Sequence, residues 1–61
     1  MLYKYDGPAL NGYNKIINEN WTAYVKAYSI KQALMLLCKR YKKQFTQCSY
    51  VVLKERYLTN E

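Results

Sequence analysis

Apolar residues recur at intervals of three and four from Ile30 to Phe45, at Ile30, Ala33, Leu34, Leu37, Cys38, Tyr41 and Phe45. That spacing places them on one stripe of a helix and predicts an α-helix over 30–45. Ser29 followed by Gln32 fits the S-x-x-Q capping box, in which each side chain satisfies a free amide of the other residue. Lys31, Lys39, Lys42 and Lys43 project from the side opposite the stripe, with Arg40 on its edge. Met35 and Leu36 break the pattern, on or beside this basic face.

Ahead of the helix the period changes to two. Trp21, Ala23, Val25 and Ala27 alternate with Thr22, Tyr24, Lys26 and Tyr28, which predicts a strand whose first set faces the helix. Tyr13 to Ile17 reads as its hairpin partner, joined through Asn18-Glu19-Asn20. After the helix, Ser49 to Lys54 reads as a strand that can reach Tyr57. Leu2 to Tyr5 can add a short edge strand within an N-terminal segment 1–12, stopped by Asp6-Gly7-Pro8, and Asn11-Gly12 marks a turn. Residues 59–61 read as a frayed tail. The order β-β-α-β predicts one α+β domain over 1–61, a two-layer fold with a sheet of about three strands under one amphipathic helix. Its expected core comprises Trp21, Val25, Leu34, Leu37, Tyr41, Val51 and Leu53.

Charge sharpens this picture. The chain of 61 residues has formal charge +6, and the stretch from Trp21 to Lys54 has no carboxylate but seven basic residues. A single-sign surface creates a strong local field whose usual partners are polyanions. A domain this small buries only about 60% of its unfolded surface, so a homodimer is one expected source of extra stability. The N-terminus lacks the apolar run of a signal peptide, which predicts a reducing, cytoplasmic setting with Cys38 and Cys48 as free thiols, although a disulfide between them is sterically allowed. No stretch approaches the roughly 18 apolar residues of a membrane span.

Candidate chemistry is sparse. With no histidine, no paired carboxylates and only isolated glycines, the sequence offers neither a general base nor a phosphate-cradling loop. No enzyme, metal or cofactor is expected. Two cysteines alone cannot close a tetrahedral zinc site. Lys31, Lys39, Arg40, Lys42 and Lys43 are instead the expected phosphate contacts for DNA or RNA, bound with low sequence specificity. A second expected surface is the sheet face turned from the helix. There Tyr24, Lys26, Tyr50, Lys54 and Arg56, beside Tyr3 or Tyr5, would form a platform on which bases stack. The alternative partner is an acidic host protein, gripped by Met35, Leu36, Lys39 and Lys43. The helix's apolar stripe is needed for the core, which argues against a membrane surface.

Tyr5-Asp6-Gly7-Pro8, Trp21, Ala27-Tyr28-Ser29 with Ala33, and Tyr41-Lys42-Lys43 together resemble small accessory proteins of Gram-positive phages and integrative mobile elements. The likeness spans residues 5 to 45 and departs from the pattern at Leu34 to Leu37 and after Gln47. It implies a cytoplasmic accessory of a mobile element. Such elements encode both DNA-handling factors and inhibitors of host defence enzymes. No residue role follows from it.

Overall fold

The computed structural model describes all 61 residues, Met1–Glu61, and its sheet is built around the N-terminal strand. The elements run β1 (Leu2–Leu10), β2 (Ile16–Lys26), α1 (Ile30–Gln44), β3 (Val52–Leu53), a 3-10 turn (Glu55–Tyr57) and β4 (Leu58–Asn60). β1 pairs antiparallel with β2 on one side and with β3 and β4 on the other. One helix on one antiparallel sheet is the α+β two-layer architecture that the periodicities predict.

Three expectations about the strands are corrected. The N-terminal segment is the central strand, not an edge. Asn18-Glu19-Asn20 lies inside β2; the hairpin turn is at Asn11–Lys15, and Tyr13 sits in it. The tail is ordered by pairing: Leu58, Thr59 and Asn60 oppose Tyr5, Lys4 and Tyr3, and Glu61 donates its amide to Leu2 at 2.7 Å.

A proline in a central strand is unusual, because it cannot donate to a ladder. Here both neighbours break at the same place. On the β2 side the register shifts between Gly7 and Ala9. On the other side Tyr5 opposes Leu58 and Ala9 opposes Leu53, so three residues of β1 face four of the edge. The extra residue is absorbed by the 3-10 turn. Tyr5, fully buried, bridges the gap: its hydroxyl donates to the Pro8 carbonyl at 2.7 Å and accepts from the Lys54 amide at 3.1 Å. One phenol thus satisfies two backbone groups beside the break in the ladder.

The core lies between α1 and the odd-numbered positions of β1 and β2. Tyr3, Tyr5 and Ala9 join Trp21, Val25, Ala27, Ala33, Leu37, Tyr41, Val51 and Leu53. Leu34 is only half-buried and packs against this cluster. Five rings form a chain through it, Tyr57–Tyr5–Trp21–Tyr41–Phe45, with successive centroids 6.2, 6.2, 4.9 and 4.5 Å apart. Tyr57 fits there because Gly7 has no side chain: a Cβ on Gly7 would overlap the Cβ, Cγ and Cδ1 of Tyr57.

The helix begins and ends close to its predicted bounds. Ser29 Oγ accepts from the Gln32 amide at 3.1 Å. Gln32 Oε1 reaches past the cap to the Tyr28 amide at 2.7 Å, so the expected reciprocal bond is displaced by one residue. Ala33, Leu37 and Tyr41 are buried, Cys38 is half-buried, and Ile30 and Phe45 at the two ends stay exposed. The 15-residue helix is about 22 Å long, and its buried side chains, Ala33, Leu37 and Tyr41, lie between those exposed ends.

Candidate functional site

Backbone chemistry fixes the cationic surface first. α1 has no acidic residue in its first turn, and Lys42 and Lys43 stand in its last, where the helix dipole favours positive charge. Lys31, Lys39, Lys42 and Lys43 are all exposed. Lys31, Met35, Lys39 and Lys43 follow one another at four-residue steps, so they share a stripe along the outer side of the helix. Met35 is 53% exposed in the middle of that stripe. Leu36 turns inward and packs against the core, which separates it from Met35. Arg40 is on the flank, where its Nη1 donates to the carbonyl of Tyr24 on β2.

The aromatic platform expected on the other sheet face is not assembled. Tyr24 and Lys26 do lie there, opposite Lys4 and Leu2, and the Lys4 ammonium stands 5.8 Å from the Tyr24 ring centroid. Lys54 and Arg56 belong to the far edge, with β1 between them and β2, and Arg56 lies over the Tyr57 ring at 5.3 Å. Tyr50 precedes β3 and is not in a strand at all. Tyr3 and Tyr5 are buried beneath α1. Asp6 places a carboxylate on this face, where it accepts from Thr22 Oγ1 at 3.2 Å. Tyr3 and Tyr5 oppose Val25 and Ala23, so pairing turns them to the helix side, and Tyr50 lies ahead of the strand expected to carry it.

The structure gathers a different set of rings. A cleft of about 780 Å³ opens beyond the C-terminal end of α1, between the β1–β2 turn and the segment that leads into β3. Tyr13 and Ile17 line it from the hairpin, Tyr41 and Phe45 from α1, and Cys48 and Tyr50 from the segment that follows, the Tyr50 ring standing close to Gly12. Asn11 shapes the hairpin side. Its Oδ1 accepts from the amides of Tyr13 and Lys15 at 2.8 and 3.0 Å, and its own amide donates to the Lys15 carbonyl at 2.9 Å. Asn14 closes the turn in the left-handed region at φ 62°, which asparagine tolerates. Tyr13 is left 86% exposed and Tyr50 59% exposed. Lys42 stands 5.9 Å from the centre of the Tyr50 ring.

The sequence pattern predicts a strand through Tyr13 and a core position for Phe45, whereas both residues line this cleft. The available signal was Tyr13 directly after Asn11-Gly12, since a ring inside a tight turn cannot pack under a sheet.

Both cysteines are free and half-buried. Burial pushes the Cys38 thiol above its ordinary value, against the smaller opposing pull of the Leu53 amide and the Lys42 charge. Its Sγ lies 3.8 Å from the Val51 carbonyl. No group of three His, Cys, Asp or Glu side chains is placed to hold a metal ion. No helix is long and apolar enough to cross a membrane.

Compared with protein-family models, with curated proteins and with solved structures, the chain matches none of them.

Proposed function

We propose that this chain is a non-enzymatic accessory protein of a phage or mobile element that acts in the cytoplasm and binds nucleic acid through the lysine face of α1. The observation that carries the reading is the exposed Lys31, Lys39, Lys42 and Lys43 on a helix without a single carboxylate. Ordinary solvated helices mix in glutamates at four-residue spacing, because such pairs stabilise them. This helix forgoes that gain and keeps an unneutralised field. Each lysine that meets a phosphate releases counterions, which drives binding without reading sequence. The rival reading, an inhibitor or adaptor docked on an acidic host protein, needs an apolar centre within the charged face. Met35 alone supplies it, since Leu36 packs inward.

The test is a salt titration. Four phosphate contacts predict that log affinity falls with log salt at a slope of about −3. Reversing Lys39→Glu and Lys43→Glu together weakens binding to all sequences alike with little loss of fold, the melting transition moving only slightly. Affinity that is indifferent to both salt and reversal removes the helix from the interface.

A further inference from the structure

The aromatic cleft at the end of α1 adds a selectivity that the lysine face by itself lacks. We infer that this cleft is a stacking site for unpaired bases, so that the favoured ligand is single-stranded nucleic acid. The inference rests on the nucleic-acid reading above and names its ligand class. Three features of the cleft support it.

The first is the state of the rings. Tyr13 and Tyr50 border an open space while exposing most of their surface, and the packed Tyr41 and Phe45 rings also line it. Flat apolar walls open to solvent suit a flat aromatic guest, and every base has such a face. In a duplex those faces are already stacked on their neighbours, so the cleft discriminates by strandedness.

The second is charge. None of the lining residues is acidic. Lys42 lies against the Tyr50 ring, and Lys43 follows it in the last turn of the same helix that supplies Tyr41 and Phe45. A strand whose base enters the cleft therefore meets Lys42 and Lys43 with its phosphates. The third is the polar complement. Gln47 and Ser49 are among the lining residues, and their side chains carry donors and acceptors of the kind that base edges meet.

The experiment compares Tyr13→Ala/Tyr50→Ala with the unaltered protein. Both side chains are exposed, and a melting curve checks that the fold survives. The ligands are a mixed-sequence DNA strand of about 15 nucleotides and the same strand annealed to its complement. The unaltered protein should prefer the single strand. The double variant should lose about 5- to 150-fold in single-strand affinity for each stack removed, with duplex affinity unchanged. Tyr50→Trp should keep the preference.

Equal affinity for strand and duplex, together with an unaffected double variant, overturns the cleft and leaves the lysine face standing, since the Lys39 and Lys43 reversal reports on that face independently. Failure to bind either DNA overturns both. A synthetic peptide of alternating glutamate and tryptophan is the last arm. If its binding depends on Tyr13 and Tyr50 while strand binding does not, the occupant is a protein and the inference fails.

Discussion

Tyr5 and Gly7 carry more of this structure than their place in a short N-terminal run suggests. The Tyr5 hydroxyl stands in for ladder partners at Pro8 and Lys54. Tyr5→Phe keeps the ring and strands both backbone groups, which costs about 1–3 kcal/mol. Amide exchange at Lys54 should accelerate beyond the change expected from global stability; an unchanged local rate would mean that water replaces the phenol. Gly7→Ala drives a methyl group into the Tyr57 ring, and overpacking of this kind costs about 1–3 kcal/mol. No glycine in the chain has positive φ, so the loss is one of contact and not of backbone freedom. The coupling with Tyr57→Ala decides it. The double variant should lose less stability than the two single losses added together, whereas strict additivity would place the clash elsewhere.

At the scale of elements, α1 is held by one deeply buried side chain per turn rather than by its whole apolar stripe. Leu37 is wholly buried and Leu34 only half so. Leu37→Ala should therefore cost about 2–5 kcal/mol, with Leu34→Ala clearly less damaging by urea denaturation. The reverse order would mean that the helix is rotated about its axis. The β1–β2 hairpin gains its register from chemistry in its turn, through the Asn11 carboxamide and the left-handed Asn14. That turn also presents Tyr13 to the cleft, so a feature that closes the hairpin also shapes the candidate site.

For the molecule as a whole, net charge and burial set different responses to solution conditions. With no histidine, the side chains offer no ordinary imidazole switch near neutrality. Burial raises the Tyr5 phenol above its ordinary value of 10.0, with the Lys54 amide opposing it, and raises the Cys38 thiol above 9.0. In the unfolded chain both groups lose their protons around those values, whereas in the folded protein they stay neutral above them. The unfolded chain therefore releases these protons first as pH rises, and the native state is progressively disfavoured. Their contribution to stability is full below pH 9.0 and is lost as pH climbs through the raised folded values. The melting temperature should fall from pH 9.0 upward, and Cys38→Ala should blunt the earlier part of that fall. A flat profile across this range would show that neither group is shielded.

The sequence by itself determined what depends on neighbours along the chain. Helix bounds, the Ser29 cap, the inward set Ala33, Leu37 and Tyr41, and the α+β class all follow from periodicity and cap chemistry within a few residues. The acid-free cationic face was equally legible, because a lysine four residues from the next lysine shares its helix face in any fold. Tertiary structure alone decided the rest. Asp6-Gly7-Pro8 reads locally as a stop, yet the strand continues because Tyr57 fills the space over Gly7 and Tyr5 reaches a backbone amide 49 residues away. Of the tyrosines, Tyr3, Tyr5 and Tyr41 are buried while Tyr13, Tyr24, Tyr28 and Tyr50 remain outside. Residue type cannot make that division, since a phenol suits both environments and only long-range pairing sets which face it meets. The cleft is the clearest case, because its walls come from a turn, a helix end and a loop that meet only after the sheet has formed.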